Sequence, residues 1–74
     1  MVTVKVISKN TRKPLEGKRV SVGFDGFFRG VAKDQYTDNF GEVNFDNEPG
    51  NGKVYVDGRE KHQGYLSGRV DVYI

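Results

Sequence analysis

Seventy-four residues with a net charge of +2, 30% charged and 35% hydrophobic, make one domain spanning 1–74 and leave no room for a second. That length excludes a dinucleotide fold and a large substrate cavity, and no apolar run is long enough for a membrane-crossing helix. The chain has no cysteine, which removes disulfide frameworks, zinc ribbons and thiol nucleophiles.

Apolar residues recur at period two from the first turn of the chain. Val2, Val4 and Val6 alternate with Thr3 and Lys5, so a strand is predicted over 2–8. A polar connection follows over 8–17. Val20, Val22 and Phe24 alternate with Ser21 and Gly23, giving a second strand over 19–24. Asp25-Gly26, between Phe24 and Phe27, is the pair that a type I′ hairpin requires, and a third strand is expected over 27–33. Asp38-Asn39-Phe40-Gly41 reads as a turn before a strand over 42–46, and Pro49-Gly50 followed by Asn51-Gly52 as turns before a strand over 53–57. Asp57-Gly58 reads as a further turn, 57–68 as a second polar connection, and 69–74 as the last strand. No window carries helical spacing without an intervening Gly or Pro. The predicted core is Val4, Val6, Leu15, Val20, Val22, Val31, Val43, Phe45, Val54, Val56, Val70 and Val72, with Phe24 and Ile74 beside it. Six short strands with frequent turns indicate an all-β antiparallel sandwich; a small oligonucleotide-binding or SH3-like barrel is the alternative.

Charge is unevenly placed. Residues 1–33 sum to +6, 34–51 to −5 and 52–74 to +1. A basic first part and an acidic middle that neighbour each other would neutralise in the fold; kept apart, they would form a binding face. The start of the chain alternates and has no apolar run of the kind a signal peptide needs, so an intracellular location is the default expectation.

Three motifs occur in order: Pro14-Leu15-Glu16-Gly17-Lys18-Arg19-Val20-Ser21-Val22, then Thr37-Asp38-Asn39-Phe40-Gly41-Glu42-Val43-Asn44-Phe45, then Glu48-Pro49-Gly50 ahead of Lys53-Val54-Tyr55-Val56. Over roughly residues 1–57 this resembles the prealbumin-like (transthyretin-like) sandwich modules, including carboxypeptidase regulatory-like and collagen-adhesin B-type domains. The resemblance implies a Greek-key sandwich that scaffolds or docks and carries no chemistry. The adhesin relatives often link a first-strand Lys to a last-strand Asn or Asp; by position Lys5 and Asp71 correspond, but both fall on outward positions, away from the apolar enclosure that bond needs.

Other constellations are sparse. The one histidine, His62, lies in the predicted polar connection, and Ser8, Ser21 and Ser67 have no base beside them, so no enzyme is expected. Asp34, Asp38, Glu42, Asp46 and Glu48 are five acids without an intervening base, yet they lack the alternate-position pattern of a calcium loop; no metal and no cofactor are assigned. Phe24, Phe27, Phe28, Arg29, Lys33 and Tyr36 put rings and cations around one hairpin, a pattern that single-stranded nucleic-acid binders use for stacking. Phe28 and Arg29 are its candidate contacts. Tyr55 and Tyr73 are outward tyrosines on predicted strands, suited to anchor a protein partner or a second copy because a rigid ring is buried while its hydroxyl stays wet. The sequence therefore predicts a non-enzymatic module acting through protein contacts, with a nucleic-acid-binding barrel as the alternative.

Overall fold

The structure is a computed structural model that describes residues 1–25 and 30–74, with the backbone alone for 30–32. Seven strands form: β1 (Val2–Ile7), β2 (Arg19–Phe24), β3 (Gly30–Tyr36), β4 (Glu42–Phe45), β5 (Gly50–Val56), β6 (Arg59–Leu66) and β7 (Gly68–Tyr73). They make two sheets, β4-β1-β7 and β3-β2-β5-β6, facing each other as an all-β sandwich.

The core follows from the period-two pattern. Val2, Val4, Val6, Val20, Val22, Phe24, Val43, Phe45, Val54, Val56, Leu66, Val70 and Val72 are buried between the sheets. Most are valines, whose branched side chains suit a pleated surface. Leu15 and Ile74 pack partly buried against this cluster. Val2, Ile7 and Leu66 are buried beyond the predicted set. Val31 was expected in the core, but its side chain lies outside the described residues.

Several expectations are corrected. The segment 57–68 is not a polar connection: Asp57 (φ 52°) and Gly58 (φ 84°) form a two-residue turn with Val56 opposite Arg59, and β6 runs back along β5 to Leu66. Positive φ at both turn positions is what a tight hairpin needs to match strand twist. Strand β5 begins at Gly50, so Asn51-Gly52 is strand and not turn. Strand β3 extends to Tyr36, three residues past the predicted end, and a register shift opposite Val20–Val22 interrupts its alternation. The predicted Asp25-Gly26 hairpin and the start of its strand at 27–29 fall outside the described residues; the pairing that is described reaches Phe24 opposite Gly30. One pair is parallel: β7 lies beside β1 with Val4 opposite Val70 and Lys5 opposite Asp71.

The residues of the first two sequence motifs fasten the sandwich at one end. Thr37 is the only buried polar residue among those described. Its Oγ1 donates to the Leu15 carbonyl at 2.6 Å and accepts from the Lys18 N–H at 2.9 Å, while its carbonyl accepts from the Gly17 N–H. Asp38 Oδ1 then accepts the N–H groups of Phe40 and Glu42 at 2.9 and 3.0 Å, which closes the turn into β4. Thr37→Val keeps the shape but leaves a carbonyl and an N–H without this partner. We expect a loss of about 2 kcal/mol, read as a lower urea midpoint at unchanged slope, with Thr37→Ser losing clearly less.

Candidate functional site

Cross-strand register decides which side chains share a surface. On the outer face of the four-stranded sheet, Arg19 lies opposite Tyr36, Ser21 opposite Tyr55, Tyr55 opposite Glu60, and Asn51 opposite Tyr65. Three tyrosines therefore share one face. Tyr36 and Tyr65 are 68% and 64% exposed, and Tyr55 is half-buried between its neighbours on β2 and β6.

Ion pairs border this face. Arg19 Nε stands 3.7 Å from Asp34 Oδ2, and Lys53 Nζ 3.7 Å from Glu60 Oε1. At the turn end Lys18 Nζ is 3.7 Å from Asp57 Oδ2. Exposed pairs of this kind contribute at most about 1 kcal/mol each. Their effect on the surface is to place neutralised charge around rings that offer apolar area and hydroxyls together.

Of the residues singled out in the sequence, Tyr55 sits within this face. Tyr73 does not: it is on β7, outward on the three-stranded sheet and 44% exposed. The two tyrosines thus belong to different sheets and cannot form one contact surface. Tyr73, Lys9 and Arg12 line an open depression of ≈ 330 Å³. Phe28 and Arg29 lie outside the described residues. The sequence names Tyr36 only among the rings and cations around the hairpin, because the third strand is predicted to end at 33. It does not single out Tyr65, because 57–68 is predicted as a connection; in the structure both stand on strands.

The remaining constellations resolve separately. His62 is on β6 opposite Val54 and half-buried, not in a polar loop. Asp34 pairs with Arg19 and Glu42 with Lys5 at 4.0 Å, so the acidic middle and the basic first part neutralise where they meet. Asp38 is occupied by backbone N–H groups. Among the described residues no three ligating side chains gather as a metal group would require. Lys5 and Asp71 are cross-strand neighbours on the outer face, where Lys5 faces Glu42 on its other side.

Comparison of the chain with protein-family models, with curated proteins and with solved structures finds no match.

Proposed function

We propose that this chain is a non-enzymatic binding module of the prealbumin-like kind that acts through protein contacts. The outer face of the four-stranded sheet is its contact surface. The observation that carries the reading is the placing of Tyr36, Tyr55 and Tyr65 on that one face. Tyrosine is enriched at interfaces because its ring supplies large area at low conformational cost while the hydroxyl finds a partner. Tyr55, central and half-buried, is the anchor, and the bordering ion pairs form the polar rim around it.

The test is residue-specific cross-linking in the native cell, with a photoreactive side chain in place of Tyr55 or Tyr73. A discrete protein adduct at position 55, absent when Tyr36 and Tyr65 are replaced by Ser and absent at position 73, supports the reading. Equal adducts at both positions, or an adduct made with nucleic acid, overturns it. In a binding assay with the adducted protein, Tyr55→Ser should weaken affinity by about 30-fold, the effect of losing a hot-spot residue worth roughly 2 kcal/mol.

A further inference from the structure

A sandwich of two open sheets has four edge strands, and each edge presents N–H and C=O groups that need an answer. Three of the four are guarded in the described residues. Strand β4 is four residues long, and its Asn44 carbonyl accepts from Gln35 Nε2 at 3.0 Å. Strands β3 and β6 each carry a register shift that interrupts regular pairing, and β6 opens with Arg59, Glu60 and Lys61. Strand β7 is six residues long, regular, and without Pro or bulge.

Its free groups can be located. Ile74 donates its N–H to the Ile7 carbonyl and accepts from the Lys9 N–H with its own carbonyl, so Ile74 turns both groups toward β1. Alternation then turns Val72 and Val70 toward β1 as well, and leaves Arg69, Asp71 and Tyr73 with their backbone groups facing outward from the edge.

We propose that β7 pairs antiparallel with β7 of a second copy about a two-fold axis at Val70, joining two three-stranded sheets into one of six. Face and charge select this register. Pairing about an axis between two residues would set an inward valine opposite an outward side chain, which a sandwich with one buried face does not accept. An axis at Asp71 sets Asp71 against itself, an axis at Arg69 does the same for Arg69, and an axis at Val72 sets Asp71 opposite Tyr73 and leaves Arg69 with no acid across the seam. An axis at Val70 sets Arg69 opposite Asp71 of the second copy, twice, and these are the residues whose backbone groups are free. Four inter-chain hydrogen bonds follow.

This register also continues a pattern already on the sheet. Across β4, β1 and β7 the outer face runs Glu42, Lys5, Asp71, alternating in sign. The next residue across the seam is Arg69 of the second copy. Within one chain Arg69 Nε stands 3.1 Å from Asp71 Oδ1, an atom that is buried and forms no hydrogen bond. Pairing would give that carboxylate a second guanidinium in cross-strand position. A single strand pair buries less than a standard interface, so the dimer is weak and reversible. It uses neither Tyr55 nor its face, and its outcome does not depend on the proposed contact surface.

The test is a charge exchange read by sedimentation equilibrium and by concentration-dependent amide shifts. Wild type should associate at high concentration, with shifts centred on Arg69 and Asp71. Asp71→Arg alone and Arg69→Asp alone should each weaken self-association about tenfold or more, because two like-charged pairs then face each other. Mixing the two single variants should restore association, since each supplies what the other lacks. The double exchange, Arg69→Asp with Asp71→Arg, should restore self-association in one chain. Recovery in the mixture shows that both variants are folded. A wild type that stays monomeric at millimolar concentration, shifts centred on β6, or a mixture no stronger than its components overturns the proposal.

Discussion

Gly41→Ala is expected to lower the stability of this protein by about 3 kcal/mol, which for a domain of this size corresponds to roughly 12–24 °C in Tm. Two causes add. Gly41 has φ +74°, a conformation that costs an L side chain about 1 kcal/mol. A Cβ at Gly41 would also stand 2.7 Å from the Val6 carbonyl oxygen, 2.9 Å from Pro14 Cβ and 3.1 Å from the Leu15 nitrogen. Two of those atoms are backbone and cannot swing aside. The Val6 carbonyl is also the acceptor for the Leu15 N–H, and the Gly41 carbonyl accepts from the Val6 N–H. Moving the turn therefore disturbs the seam between β1, the Pro14-Leu15 segment and β4. Gly17→Ala separates the two causes, because Gly17 has φ +77° with nothing within 4 Å of the added carbon. It should lose about 1 kcal/mol, the conformational part alone. Equal losses in the two variants, measured by thermal unfolding, would mean that the turn is not packed against β1 as described.

Several residues of the sequence motifs have a structural role in this sandwich. Thr37, Asp38 and Gly41 each fasten a turn, and the apolar positions of the same motifs fill the core. Such needs can be read from sequence because they are local: a turn residue declares its φ, and alternation declares a face. Parity likewise put Tyr55 and Tyr73 outward. It could not say on which sheet each lies, because that depends on pairings between segments far apart in the chain. The parallel meeting of β1 and β7, between the two ends of the chain, is of the same kind.

Strand β6 shows a different limit. Alternation is a signal only where inward positions carry apolar side chains, and along β6 the inward positions are Arg59, His62, Gly64 and Leu66. Lys61 is the extra residue of the register shift, so the period breaks midway as well. What remained legible was Asp57-Gly58, a hairpin dipeptide directly after a valine strand. Continued without a shift, that turn's pairing sets Tyr65 opposite Gly50 on the inward face; the extra residue Lys61 moves the register by one and brings Leu66 there instead. In β3 the shift near Lys33 and Asp34 hides the continuation to Tyr36 in the same way.

That reading of β6 can be tested on two adjacent residues. Leu66 is fully buried and lies opposite Gly50, and the next pair on the same face is Gly52 with Gly64. No large side chain stands on this part of β5 or β6 to fill the space left by truncation, and Gly52 already packs against the Gly23 carbonyl. Cavities that cannot collapse lie in the upper part of the range for buried leucines, so Leu66→Ala should cost about 3–4 kcal/mol. Against a total of roughly 4–11 kcal/mol for 74 residues, that brings the domain close to unfolding. Tyr65 stands one position earlier and points the other way, 64% exposed. Tyr65→Ser should move stability by less than about 1 kcal/mol, since only surface is altered. Urea titration of both variants decides the matter. Small changes in both would return 59–66 to an irregular polar connection and remove Tyr65 from the tyrosine face. A large change in Leu66→Ala with a small one in Tyr65→Ser fixes the face on which every other β6 side chain is displayed, and with it the outer border of the proposed contact surface.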